Sequence, residues 1–287
     1  MLATIATVLG GIASVLISES LVQQFSGKGL VGDELANTPR FALAVAGGAA
    51  ATVMLATRLG FPISTTHALV GGLVGAGLAH SGTAINLGNL GSGFVLPLLT
   101  SPFISAGLGY IGYRMIRWFR ARGEQMASLS AAATGDLRHG RTLDSAHLIS
   151  ACAICFARGV NDTPKLAALL IASRLIDGTG SALAVTAAMG AGGWLLSRRV
   201  AETMSHRLNR LDTGQGISAN LITAALVLFA SRLGMPVSTT HVSVGSIIGT
   251  GGAAGTLHGS VVRNVLLSWV ATLPMAAGIA FLIGLLT

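Results

Sequence analysis

The heptapeptide Pro62-Ile63-Ser64-Thr65-Thr66-His67-Ala68 returns almost unchanged as Pro236-Val237-Ser238-Thr239-Thr240-His241-Val242. The similarity extends beyond these segments, because residues 56–77 and 230–251 align at an offset of 174 with 13 identities in 22 positions. The chain therefore contains an internal repeat, and each copy places a hydroxyl-rich segment inside an apolar, glycine-rich stretch.

The composition is that of an integral membrane protein. Hydrophobic residues make up 52% of the 287 positions and charged residues only 10%, with a mean hydropathy of +0.72. This leaves too little polar surface for a soluble globule. Several apolar runs approach the roughly 20 residues that cross a bilayer as a helix, and they lie at Ala3 to Ile17, Phe41 to Thr57, Gly180 to Leu196, Ile217 to Ala230 and Val261 to Leu286. The sequence predicts an all-α, polytopic helical bundle and not a β-barrel.

The net charge of +8 reflects arginines that lie between the apolar runs. This distribution indicates membrane topology and not nucleic-acid binding. The polar, arginine-rich segment 114–146 is interpreted as a cytoplasmic linker between a first transmembrane repeat, 1–113, and a second, 147–287. Cys152 and Cys155 form a C-x-x-C, but their apolar surroundings favour packing over a redox or metal role.

Corresponding loops of the two repeats differ in charge. In the first loop Lys28 and Arg40 are balanced by two carboxylates, whereas in the second loop four arginines outnumber two carboxylates (Asp33 and Glu34 in the first; Arg198, Arg199, Arg207, Arg210, Glu202 and Asp212 in the second). An external first loop and a cytoplasmic second loop would invert the repeats relative to each other, as in many secondary transporters with broken or re-entrant half-helices.

Each Ser-Thr-Thr-His segment is expected to begin a helix, with a hydroxyl as its cap. If both helices start within the membrane, their free N–H groups and hydroxyls form a cradle for an oxyanion. The alternative is that Ser64 and Ser238 only cap helices while the threonines bond to local carbonyls. His67 and His241 either make structural hydrogen bonds or contact the substrate or a proton path. A hydrolase triad is not expected, because the duplicated serines are buried in membrane segments.

A second group of polar residues interrupts an apolar segment at 157–165. It contains Arg158, Asn161, Asp162 and Lys165, and ionisable groups at membrane depth usually serve function. Gly159 and Pro164 are expected to break the helix and free carbonyls that, with Asp162 and Asn161, coordinate a hard cation such as sodium. The alternative is that Asp162 only pairs with Lys165 or Arg158.

Gly159-Val160-Asn161-Asp162 and the two Ser-Thr-Thr-His segments, in this order and in inverted halves, resemble the inorganic phosphate transporter (PiT) family. The resemblance covers nearly the whole chain and implies phosphate symport with sodium or protons by alternating access. It implies that Asn161 and Asp162 belong to the cation and phosphate site, and that phosphate contacts the hydroxyls of Ser64, Thr65, Thr66, Ser238, Thr239 and Thr240.

The chain departs from the family pattern at two places. Many members carry an Asn where this chain has Lys165, so a fixed ammonium would replace a bound cation or pair with phosphate directly. The first half also lacks an Asn-Asp pair. With the offset of 174, the first-repeat counterpart of Asn161 would lie at position −13. The weaker match of residues 17–20 with 200–203 gives an offset of 183 and places this counterpart at −22. This arithmetic predicts a first repeat that is incomplete at its N-terminus, without the first helix and the first Gly-x-Asn-Asp motif.

The sequence thus predicts a multi-pass protein of a prokaryotic inner membrane that imports inorganic phosphate with sodium or protons. A permease for sulfate or another oxyanion, and a truncated membrane protein without transport activity, stay as alternatives. No enzymatic activity, nucleic-acid partner or cofactor is expected, and no metal beyond a sodium ion at Asp162. A homodimer in the lipid bilayer stays open.

Overall fold

The computed structural model describes residues 1–17, 19–61, 63–81, 85–127, 137–173, 176–196, 212–257 and 259–287. These residues are nearly all helical and contain no β-strand. The helices are α1 Leu2–Ile17, α2 Glu19–Phe25, α3 Asp33–Ala36, α4 Pro39–Leu59, α5 Thr65–Ser81, α6 Leu87–Asn89, α7 Leu96–Ala127, α8 Leu137–Ala172, α9 Gly178–Leu196, α10 Thr213–Arg232, α11 Thr239–Ala254 and α12 Gly259–Leu286. A π-helical turn, Leu90–Val95, joins α6 to α7.

Five of these helical segments are long and apolar enough to cross a membrane, and a sixth is obtained if α1 and α2, which meet at 89°, form one bent span. The predicted all-α, multi-pass membrane fold is confirmed. The run Gly180 to Leu196 forms α9, which is not among the five. Pro62, most of the arginine-rich second loop and residues 128–136 of the predicted linker lie outside the described residues.

The two repeats begin and end their leading helices with local signals that are visible in the sequence. In α4 the Thr38 hydroxyl accepts a bond from the Phe41 N–H at 3.3 Å, and Gly60 ends the helix with φ of 76°. In α10 Asp212 and Gln215 form a capping box, and Gly234 follows the helix with φ of 69°. Glycine suits both ends because the left-handed conformation crowds any Cβ. The chain can then turn back and begin α5 and α11.

The short helices α5 and α11 each pack on the last long helix of the other repeat. A Cβ added to Gly71 or Gly75 of α5 would collide with the backbone of α12, at Leu273 and Ala277 respectively. The equivalent glycines of α11, Gly245 and Gly249, approach the α7 backbone at Pro102 and Ala106 in the same way. At all four glycines an added Cβ would be too close to the facing helix for a side chain to fit. The glycines therefore allow backbone-to-backbone packing that crosses between the repeats.

Helix α8 runs without a break through Gly159 and Pro164. The prediction that these residues interrupt the span is wrong. Gly159 serves a different purpose, because a Cβ there would collide with the Thr7 carbonyl of α1, and Gly10 faces the Phe156 carbonyl of α8 in return. The small residues thus let α1 and α8 approach closely, and the intact helix presents Asn161, Asp162 and Lys165 toward the protein interior.

Candidate functional site

The N-termini of α5 and α11 meet inside the bundle. The Ser64 hydroxyl accepts a hydrogen bond from the His67 N–H at 3.0 Å, and the Ser238 hydroxyl accepts one from the His241 N–H at 3.2 Å. Both serines are buried and cap their helices, as the sequence predicts. The approach of two helix N-termini agrees with inverted repeats, and it concentrates two positive dipole ends in one place.

Lys165 of α8 forms hydrogen bonds at the N-termini of α5 and α11, which are called the two tips below. Its ammonium donates to the Thr66 hydroxyl at 2.9 Å and to the Val237 carbonyl at 2.6 Å, and it lies 3.6 Å from an Asp162 carboxylate oxygen. The side chain has no solvent exposure. Two of its three N–H donors thus have hydrogen-bond acceptors, and the Asp162 carboxylate at 3.6 Å supplies the opposite charge. Such pairing is what makes a buried charge tolerable.

Asn161 makes the corresponding contacts with the second tip. Its amide nitrogen donates to the Thr239 hydroxyl at 3.0 Å, to the Val237 carbonyl at 3.3 Å and to Asp162 at 3.0 Å. The Thr66 hydroxyl also donates to the Val237 carbonyl, at 3.2 Å. One backbone carbonyl in the turn before α11 is therefore the centre of the cluster.

Asp162 faces a cation on each side. Its second carboxylate oxygen lies 3.6 Å from the Arg158 guanidinium, whose side chain is 51% exposed, while the Asp162 side chain is only 7% exposed. Both ion pairs considered from the sequence are thus present. The carboxylate connects a buried ammonium with a guanidinium that reaches the protein surface.

The two histidines form an aromatic stack next to the cluster. The ring centroids of His67 and His241 are 4.3 Å apart, and His241 stacks on Trp269 at 3.7 Å. The His67 Nδ1 atom lies 3.0 Å from the Ser64 hydroxyl. These contacts agree with a structural role for the rings beside the site.

The structure brings together Thr66, Asn161, Asp162, Lys165 and Thr239, and it places Ser64 and Ser238 at the helix caps. Thr65 and Thr240 are partly exposed, and within the ranges that the structure covers their hydroxyls make no hydrogen bond. They border the cluster without belonging to its network.

Three participants were not identified from the sequence. The first is the Val237 carbonyl, and the second is Phe25 of α2, whose ring lies 5.6 Å from the Lys165 ammonium. The third is Ser231, whose hydroxyl donates to the side-chain amide oxygen of Asn161 at 3.1 Å. Ser231 could have been found, because its repeat counterpart, Thr57, is also a hydroxyl in an apolar stretch.

The chemistry of the site is that of recognition and not of catalysis. Hydroxyl, amide and ammonium donors converge where two helices begin, and a carboxylate lies within their network. In the portion described, no three His, Cys, Asp or Glu side chains are grouped as metal ligands would be. The arrangement suits an anion that is bound together with a cation.

Comparison with known proteins identifies the family of the chain. The phosphate transporter family matches residues 1–280. A Pyrococcus horikoshii protein named as a candidate phosphate permease is 27% identical over 83% of this chain and 77% of its own length. A Mycobacterium bovis protein named as a probable low-affinity inorganic phosphate transporter is 27% identical, covering 99% of this chain and 67% of its own length.

Two further similarities bear on substrate and fold. The sulfate permease CysP of Bacillus subtilis is 27% identical over 98% of this chain and 76% of its own length. A solved structure described as the sodium-dependent phosphate transporter superposes with a TM-score of 0.83 at 23% identity, over 99% of this chain and 88% of its own. The family match extends over nearly the whole chain, and its members are transporters and not enzymes. This multi-pass membrane protein belongs to the phosphate transporter family.

Proposed function

We propose that the chain imports inorganic phosphate across the cell membrane by symport with a cation. The observation that carries the proposal is the convergence of two capped helix N-termini on one buried cluster that holds Lys165. Free N–H groups, positive dipole ends and a fixed ammonium all attract an oxyanion. Family membership makes phosphate the first candidate.

Phosphate would bind by replacing bonds that the tips now make with each other. The hydroxyls of Thr66 and Thr239 and the Asn161 amide are satisfied inside the protein, whereas Thr65 and Thr240 border the cluster with hydroxyls available. Ser64 and Ser238 accept N–H bonds as caps. The Ser238 hydroxyl can still donate its own proton, and Ser64 can do so once it releases its bond with His67 Nδ1. In this proposal the six hydroxyls and the Asn161 amide donate to the oxyanion.

The surroundings of Lys165 support a particular form of coupling. Its ammonium contacts a hydroxyl, a backbone carbonyl and a carboxylate. These oxygen types also coordinate hard cations. We propose that Lys165 is a tethered cation in a position where sodium would otherwise bind, and that the transported cation is a proton carried through Asp162. The alternative is sodium, the ion in the description of the solved transporter structure.

Sulfate is the second candidate, and the similarity to a sulfate permease favours it. The two anions differ in one useful respect, because hydrogen phosphate carries an O–H donor and sulfate carries none at neutral pH. The Val237 carbonyl and the Asp162 carboxylate are acceptors that a phosphate O–H could use. The site therefore suits phosphate better.

Radiolabelled uptake into proteoliposomes tests the proposal. The purified chain should accumulate phosphate under an imposed inward proton gradient, and excess sulfate should compete weakly. Asp162→Asn should abolish accumulation, because an amide does not carry the proton, while Asp144→Asn, an exposed carboxylate of the same helix, should leave it intact. Uptake of sulfate alone would favour the second candidate, and uptake of neither anion would support a chain without transport activity.

Lys165→Asn tests the tethered cation separately. Removal of the ammonium leaves its oxygen acceptors to an external ion, so phosphate accumulation by this variant should become dependent on a sodium gradient. Lys165→Met, which removes the charge without adding an oxygen ligand, is the matched control and should respond less to sodium. A wild type that is driven by sodium to the same extent as Lys165→Asn would contradict the idea while leaving phosphate transport intact.

A further inference from the structure

An apolar cleft lies beside the histidine stack, between α7 and α12. It encloses about 560 Å³, with His67 and His241 at its inner end. Its lining is otherwise hydrophobic apart from the indole of Trp269. The volume falls within the roughly 300–1,000 Å³ of pockets that hold small organic molecules.

The cleft follows from the packing of the two repeats. Helix α5 packs on α12 and α11 packs on α7, in both cases through glycines that allow close approach. Within the described ranges, α7 and α12 do not pack against each other along their lengths. The gap between these two helix pairs is therefore a consequence of the cross-repeat packing.

The cleft opens at the middle of two membrane spans. Phe103 is the central residue of the span Leu87–Phe119, and Pro274 is the central residue of the span Val262–Leu286. At the mouth, Phe103 is 76% exposed and Val270 is 74% exposed. Because both segments are long and apolar enough to cross a membrane, we place these mouth residues at the depth of the hydrocarbon core.

Water is a poor occupant of this space, because a buried water needs two to four polar partners and the walls supply few. A flexible hydrocarbon chain has the shape and chemistry that the walls accept. We propose that the cleft binds an acyl chain of a bilayer phospholipid, whose end contacts Trp269 and the histidine stack.

Such a chain would lie close to the oxyanion site. His67 and His241 directly follow Thr66 and Thr240, and their rings form the inner end of the cleft. Its occupancy would hold α7 and α12 apart at the level where the two helix tips meet. The bound lipid is therefore a candidate determinant of the spacing between the half-helices.

Quenching by brominated lipid tests the proposal, because a bromine atom quenches an indole only near contact. Trp269 is 7% exposed, so the protein shields it from lipid unless a chain enters the cleft. A variant with Trp269 alone (Trp118→Phe, Trp194→Phe) is reconstituted in phosphatidylcholine brominated near the chain ends. Its emission should fall relative to the emission of the same variant in phosphatidylcholine without bromine.

A second variant ties the quenching to the cleft. Ala106 lines the cleft, and Ala106→Phe should fill part of it and protect Trp269 from bromine. Ala50→Phe, on the exposed side of α4, is the matched control and should leave quenching unchanged. Trp269 emission that is the same with and without bromine would overturn the proposal, whether a second copy or nothing covers the mouth. Quenching that Ala106→Phe leaves unchanged would overturn it as well. The measurement requires no transport, so it is independent of the proposed function.

Discussion

The tips of α5 and α11 have the same sequence, Ser-Thr-Thr-His, but the protein holds them through different residues. At the first tip Thr66 accepts a bond from Lys165 at 2.9 Å, whereas its repeat counterpart, Thr240, makes none in the described structure. At the second tip Thr239 accepts a bond from Asn161 at 3.0 Å, whereas its counterpart, Thr65, makes none there. The duplication therefore repeats the helices without repeating their polar contacts.

The difference arises because one helix supplies the donors for both tips. Asn161 and Lys165 are one turn apart on α8, and each reaches a different tip. The packing of the half-helices is therefore symmetric, while the chemistry at their tips is not.

The symmetric part of this comparison predicts the largest effect. Gly75→Leu and Gly249→Leu should both prevent accumulation of folded protein, because each side chain would collide with the backbone of the facing helix, at Ala277 and Ala106 respectively. Overpacking of this kind costs several kcal/mol when backbone must move. The measurement is the yield of monodisperse protein in detergent and its thermal unfolding temperature.

The controls for these variants are Gly107→Leu on α7 and Gly278→Leu on α12, where an added Cβ meets open space. Both controls should yield folded protein in normal amounts. If one half-helix tolerated leucine and the other did not, the two packing interfaces would not be equivalent.

The sequence was most informative where a structure depends on a few neighbouring residues. The Ser64 and Ser238 caps were predicted because capping depends on neighbouring residues. The left-handed turns at Gly60 and Gly234 are equally local, but they were not identified from the sequence. The prediction of a helix break at Gly159 was wrong. This glycine allows α1, which is distant in the sequence, to pack closely against α8.

The choice between adjacent threonines at each tip was also beyond the sequence. It depends on how α8 is rotated against both tips, and this rotation is set by packing along its whole length. The Val237 carbonyl was missed for a related reason, because every residue has a carbonyl and only the fold selects one. Contact with Lys165 and Asn161 gives this carbonyl its role.

The asymmetric part of the comparison predicts which threonines matter most. Thr66→Val should weaken apparent phosphate affinity roughly tenfold or more, because a hydrogen bond with a charged group contributes about 1.5 to 3 kcal/mol. Thr239→Val should weaken it roughly fivefold, because a neutral hydrogen bond contributes about 1 kcal/mol. For Thr239 the partner is a neutral amide, so its loss should be the smaller of the two. Thr240→Val and Thr65→Val, at the counterpart positions, should change affinity less.

The concentration dependence of phosphate uptake in proteoliposomes measures all four threonine variants. Equal losses at Thr66 and Thr240, with little change at Thr65 and Thr239, would mean that the working site is symmetric. In that case the contacts of Lys165 and Asn161 would describe only one conformation of the transport cycle.

The smallest effect concerns Ser231 and its repeat counterpart, Thr57. The Ser231 hydroxyl lies 3.1 Å from the side-chain amide oxygen of Asn161 and 2.7 Å from the backbone carbonyl oxygen of Val227, so it shares one proton between two acceptors. A neutral hydrogen bond contributes about 1 kcal/mol, which corresponds to roughly fivefold in affinity. Ser231→Ala should therefore weaken phosphate affinity by at most about this factor, because Asn161 loses a partner that orients its amide. Thr57→Val should have no effect, since no equivalent of Asn161 faces Thr57 in the described structure.

Uptake kinetics and thermal unfolding are measured together for both variants. A lower unfolding temperature for Ser231→Ala with unchanged affinity would assign Ser231 to its bond with Val227 alone, and an equal loss of affinity in Thr57→Val would restore symmetry to the two repeats at this position.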